Sequence, residues 1–109
     1  MKKIAVCQLA ERIAPLYDTA PEIAFLLIGD NGRVLERWTI NVSTITSAER
    51  TDMLDRLGVE LVICGGAKQE CQRNLKEHNI RFIDNVIGNV ENVIARYLEG
   101  QLHSGDVID

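Results

Sequence analysis

The stretch from Gly58 to Ile80, GVELVICGGAKQECQRNLKEHNI, constrains the fold more than any other part of the chain. Val59, Leu61, Val62 and Ile63 form a short apolar run bounded by glycine on both sides, the pattern of a strand buried on both faces. Gly65 and Gly66 then allow a sharp turn and leave backbone amides open to a ligand. From Ala67 onward, Ala67, Cys71, Leu75 and His78 recur at helical spacing. The stretch is therefore a strand–turn–helix unit, with Cys64 closing the strand and Cys71 on the inner helix face. A binding site is expected at this turn.

The rest of the chain supplies partners for that unit. Ile4 to Cys7 reads as a first strand, and Gln8 to Glu22, with Pro15 and Pro21 as breakers, reads mostly as loop. Ile23–Ile28 is apolar throughout, Asp30-Asn31-Gly32 is a turn signal, and Arg33 to Ile40 makes the returning strand of an antiparallel hairpin. Thr46 and Glu49 have the spacing of a capping box for a helix carrying Met53, Leu54 and Leu57, with Gly58 at its end. Ile80–Ile83 predicts a fifth strand, and Asn89 caps a last helix with Val90, Val93, Ile94, Tyr97 and Leu98 on its apolar face. The tail from Gln101 to Asp109 is polar and expected to fray.

The order β-loop-β-β-α-β-α-β-α implies a mixed α/β sheet of five strands with helices on both faces. Right-handed crossovers give the strand order 3-2-1-4-5, with strand 2 antiparallel. In that order strands 1 and 4 are neighbours whose carboxyl ends open a crevice, the usual ligand position in such sheets. Cys7 ends strand 1 and Cys64 ends strand 4, so two thiols converge there. With 109 residues the chain is sized for one domain, read as residues 1–102 with a flexible tail over 103–109.

Charge and cysteine usage narrow the function. A net charge of −4 argues against nucleic acid or an anionic membrane as partner, and no apolar run reaches the length of a membrane span. The apolar start is broken by Glu11 and Arg12, which excludes a secretory signal and points to the cytoplasm. Three cysteines without a C-x-x-C spacing fit neither a disulfide framework nor a zinc ribbon. Cys64, before the Gly65-Gly66 turn and a helix start, is expected to have a lowered pKa and thiolate character. No Walker-type lysine follows the turn, so the glycines alone carry the alternative of a small-anion site. Strand 1, IAVCQ, has no carboxylate to build a two-metal nuclease, and neither His78 nor His103 is placed as a base for a thiol. An enzyme is not expected.

The motif G-V-E-L-V-I-C-G-G, its spacing to Asn79-Ile80 and the closing Y-L-E-G helix resemble the dinitrogenase iron–molybdenum cofactor biosynthesis family across residues 3–102. That family includes the carboxyl-terminal domain of the nitrogenase cofactor maturase and related small accessory proteins. The resemblance implies a ribonuclease-H-like fold and a non-enzymatic role in binding or handing over an iron–sulfur or iron–molybdenum-type cluster. It also implies a cluster-biosynthesis or acceptor protein as partner. On this reading Cys64 and Cys7 are the metal ligands, with Gly65, Gly66, Tyr17 and Asp18 around the cofactor. Family members commonly carry a histidine motif in the loop after strand 1; the matching segment here, Leu16 to Ala20, has none. That departure leaves room for a metal-free interaction module on the same fold.

Overall fold

The computed structural model describes residues 1–108. Its central strand is β1 (Lys2–Leu9), whose residues Ile4 to Cys7 are fully buried. Alternate side chains of this strand enter two separate cores. Ala5 and Cys7 face one core with Leu54 and Leu75, while Ile4 and Val6 face the other with Val90, Val93 and Ile94. Burial on both faces explains the unbroken apolar run.

β1 pairs antiparallel with β2 (Arg12–Ile13) and β3 (Glu22–Ile28), and β3 with β4 (Val34–Asn41). On its other side β1 runs parallel to β5 (Leu61–Ile63), which pairs with β6 (Arg81–Ile83). The order β4-β3-β1-β5-β6 is the expected 3-2-1-4-5 arrangement, and β2 makes the sheet six-stranded. α1 (Ser47–Arg56) and α2 (Gln69–Glu77) cover one face through Leu54, Cys71 and Leu75, and α3 (Val90–Leu98) covers the other.

Local signals explain the element ends. Thr46 Oγ1 accepts from Glu49 N–H at 3.1 Å and Glu49 Oε1 accepts from Thr46 N–H at 2.9 Å, completing the capping box. Gly58 ends the helix at φ 76, a left-handed conformation that favours glycine. Asn89 Oδ1 caps α3 through Glu91 N–H at 2.9 Å. In the hairpin, Phe25 and Trp38 stack with centroids 5.4 Å apart, which contributes about 1 kcal/mol beyond simple burial.

Two regions differ from the sequence expectation. Residues 8–22 are not mostly loop: β1 continues to Leu9, Ala10 turns at φ 54, and β2 folds straight back. A two-residue strand carries too little periodicity to be seen in sequence. The tail also differs. β8 (Val107–Ile108) pairs in parallel with β7 (Ile87–Gly88), and Leu102 and Ile108 are buried beside α3. Its polar residues hid two apolar anchors; Asp109 lies outside the described residues.

Candidate functional site

The carboxyl ends of β1 and β5 lie side by side, with Val6 opposite Ile63 in the last parallel pair. Cys7 and Cys64 each follow by one residue, and both side chains enter the core beneath α1 and α2. Neither is exposed to solvent. Burial pushes the Cys7 thiol up to about 12, partly opposed by the nearby positive charge of Arg50. Burial likewise pushes the Cys64 thiol up, reinforced by Cys7 and Asp84. The expectation of a thiolate at Cys64 is therefore corrected: desolvation outweighs any helix field. The physical reason is distance along the chain, because α2 begins only at Gln69, behind Lys68 at its cap. Cys71 is also raised by burial first and Asp18 second, yet it reaches the edge of a hollow beside Ser47 and Asn74.

The loop after β2 locks onto the glycine turn. Gly66 N–H donates to Pro15 O at 2.7 Å, and Tyr17 N–H donates to Gly66 O at 2.8 Å. A side chain on Gly65 would collide with the carbonyls of Ala14 and Pro15, so this glycine serves close backbone packing. The Gly66 amide, expected to stand open for a ligand, is thus already hydrogen-bonded. Tyr17 and Asp18 do not line the crevice as expected. Tyr17 is fully buried with its hydroxyl 2.7 Å from Thr51 Oγ1, and Asp18 pairs with Lys68 Nζ at 3.2 Å. Together they fasten the loop to α1 and to the start of α2.

Arg50 anchors the same loop from below. Its guanidinium is buried, donates from Nη1 to Tyr17 O at 2.6 Å and from Nη2 to Val42 O at 3.2 Å, and lies 5.7 Å from the Tyr17 ring centroid. No carboxylate pairs with it among the described residues, and its Nε has no hydrogen-bond partner.

What remains open is a crevice of about 450 Å³ above the glycine turn. Arg12 and Pro15 form one wall, Gly65 and Gly66 the floor, and Asn85, Val86 and Ile87 the other wall. Arg12 is exposed and forms no ion pair among the described residues, and no carboxylate is among the lining residues. Among the described residues no group of three or more Cys, His, Asp or Glu side chains is arranged to hold a metal ion. The arrangement offers a cation, an amide and apolar walls to an anion, with no Cys, His, Asp or Glu among the described lining residues. A larger hollow, about 670 Å³, lies at the opposite end of the sheet beside Met1 and Tyr97, where Asp30 and Glu60 offset Lys2. It lacks this bias.

Arg12 and Asn85 went unnoticed in the sequence. Arg12 registered only as a break in an apolar run. Asn85 had one usable signal, an Asp-Asn pair directly after a strand, typical of turns that adopt positive φ.

A small mixed α/β domain with its crevice at the ends of two parallel strands, and among the described residues no helix long and apolar enough to cross a membrane, is the class defined by this geometry. The chain belongs to the dinitrogenase iron-molybdenum cofactor family, whose model matches residues 1–100. Solved structures share the fold. The protein PH0822 is similar with a TM-score of 0.85 at 14% identity, covering 94% of this chain and 93% of that one. The apo form of the orange protein from Desulfovibrio gigas is similar with a TM-score of 0.75 at 15% identity, covering 100% and 97%. A candidate NifB protein from Thermotoga gives 0.76 at 16% identity, covering 95% and 93%. No curated protein sequence matches the chain.

Proposed function

We propose that the protein is a non-enzymatic binder or carrier of a metal–sulfur cluster or its precursor, received as an anionic cargo in the crevice. The observation that carries this reading is Arg12, without an ion pair among the described residues, facing a crevice without a carboxylate among its described lining residues, in a chain of this family. Cargo of iron–sulfur or iron–molybdenum type is anionic, and a cation with amide donors holds an anion without forming a bond to the metal. Such attachment is reversible, which suits transfer to a cluster-biosynthesis or acceptor protein. Three free cysteines fit the reducing cytoplasm as its place of work.

On this reading the cargo is held above the two thiols and not by them. Cys64 and Cys7 lie below the floor as neutral thiols, so the first contact of the cargo is with Arg12, Asn85 and the glycine turn. A small-anion site at the turn becomes part of the same crevice. Anaerobic reconstitution with iron, sulfide and molybdate, followed by absorption spectroscopy, tests the reading. One chromophore per chain is expected. A protein that stays colourless, but recovers a partner that chelators do not release, would favour the metal-free interaction module.

A further inference from the structure

The two edges of the sheet are finished differently. β6 is only three residues long, and the chain covers both its ends. Ile80 N–H donates to Leu75 O at 2.9 Å, Asp84 N–H to Ser104 Oγ at 3.1 Å, and Gly105 N–H to Asp84 O at 2.9 Å. β4, at the other end of the strand order, is eight residues long and among the described residues pairs only with β3. Short or covered edges resist pairing with another chain, whereas a long bare edge is a template for it. Between Val34 and Asn41 there is no proline and no lysine, the residues that commonly blunt such an edge.

The hydrogen-bond alternation fixes which residues of β4 face outward. Val42 N–H donates to Pro21 O at 2.8 Å, and in an antiparallel ladder every second residue bonds to the same neighbour. Ile40, Trp38 and Glu36 therefore turn their backbone groups toward β3, opposite Ile23, Phe25 and Leu27. Arg37, Thr39 and Asn41 turn theirs away from the sheet. A bulge between Leu27 and Ile28, with Leu35 as the extra residue, ends the regular stretch. These three outward residues fit a second copy of themselves in one two-fold register. Thr39 then faces Thr39 of the second copy, and Arg37 faces Asn41 in both directions. Between these rungs Trp38 faces Ile40, on the side of the sheet where Trp38 is half-buried against Phe25. Threonine pairs and aromatic–β-branched pairs are favourable cross-strand contacts. The neighbouring registers are poorer: one sets Asn41 against the bulge, and the next sets Arg37 against Arg37.

We propose that β4 pairs antiparallel with β4 of a second copy, joining the two sheets through a symmetric dimer centred on Thr39. The occupant is this same chain because the edge complements its own reverse: Arg37 with Asn41 and Trp38 with Ile40, on either side of Thr39. Glu36 and Arg37 are the only charged residues of β4, and in this register neither meets its own kind. Every outward N–H and C=O of the three rungs gains a partner. The contact is a strand edge and small, so association is reversible and depends on concentration. β4 runs in the direction of β1, since each is antiparallel to β3. The two-fold axis therefore sends the two crevices to opposite ends of the joined sheet, and both stay open.

Sedimentation velocity over a dilution series, from near-millimolar to sub-micromolar protein, tests this with the wild type, Thr39→Pro and Thr39→Lys. Trp38 is the one tryptophan of the chain, so its emission reports the same contact. The wild type is expected to be dimeric when concentrated and to dissociate on dilution, with Trp38 emission moving to the red. Thr39→Pro removes only an outward N–H, which leaves the pairing with β3 intact. Each copy loses a hydrogen bond on the axis, and dimerisation is expected to weaken at least about tenfold. Thr39→Lys sets two ammonium groups opposite each other and is expected to do the same without touching the backbone. Thermal midpoints of the dilute chains check that the variants are folded; if Thr39→Pro fails that check, Thr39→Lys decides. A wild type that stays monomeric at every concentration overturns the proposal, and so does a dimer of unchanged affinity in Thr39→Lys.

Discussion

Cys7 and Cys64 stand one residue beyond the last parallel pair of β1 and β5, side by side and out of reach of water. Their placement separates two properties that the sequence merges. The thiols converge at the ligand-binding end of the sheet, yet they belong to its core.

That placement has a pH signature. The Cys7 pKa is raised from an ordinary 9.0 to about 12, and burial also raises Cys64 and Tyr17. Between these values the unfolded chain releases protons that the folded chain retains. Stability contributed by these groups is therefore complete below about pH 9 and lost as pH rises toward the folded values. Urea midpoints measured near pH 7.5 and near pH 10.5 are expected to fall, and Cys7→Ala is expected to shrink the fall. An unchanged slope in that variant would exclude Cys7 as a contributor.

Gly65 and Gly66 are neighbours with different duties. A methyl group on Gly65 meets the backbone carbonyls of Ala14 and Pro15, the latter held by the Gly66 N–H, so Gly65→Ala is expected to cost about 3 kcal/mol. On Gly66 the nearest atom, 3.1 Å away, belongs to the Leu16 side chain, which is exposed and can move. Gly66→Ala is expected to cost under about 1 kcal/mol. Denaturant midpoints of the two variants decide it; equal losses would contradict the packing described.

Arg50 holds the crevice loop through Tyr17 O and the α1 approach through Val42 O. Arg50→Met keeps the aliphatic volume and strands Tyr17 O, at a cost of about 1–3 kcal/mol if it is left without a donor, while Val42 O keeps the Ile45 N–H at 3.3 Å. Limited proteolysis is expected to cut near residues 15–20 in this variant and not in the wild type. Wild-type resistance and stability would show that other contacts hold the loop.

Detaching β8 should loosen the crevice wall without unfolding the sheet. Gly88→Ala drives a Cβ into Ile108 O, and hydrogen exchange is expected to rise at Ile87 and Gly105 while β1 and β5 stay protected. Uniform exchange across the chain would contradict that separation.

The sheet order, its hairpin and its three helices were legible because long apolar runs and caps such as Thr46/Glu49 mark them without help from tertiary structure. The adjacency of Cys7 and Cys64 followed from that order alone. Their burial did not, since solvent access at a strand end depends on how the 14–17 loop and α1 close over it. Tyr17 and Asp18 were placed in the correct loop but on the wrong side of it, because Thr51, Arg50 and Lys68 draw them inward from elements distant in sequence. Arg12 and β8 were invisible for another reason: each depends on two-residue pairings too short to leave a period.

The central claim is that the crevice, and not the thiols beneath it, holds the cargo. Stoichiometric chromophore formation after anaerobic reconstitution, compared among the wild type, Arg12→Glu and a folded Cys64→Ala variant, tests it most directly. The expected result is one chromophore per chain in the wild type and in Cys64→Ala, and none in Arg12→Glu. A chromophore that survives Arg12→Glu and disappears with Cys64→Ala would contradict the account.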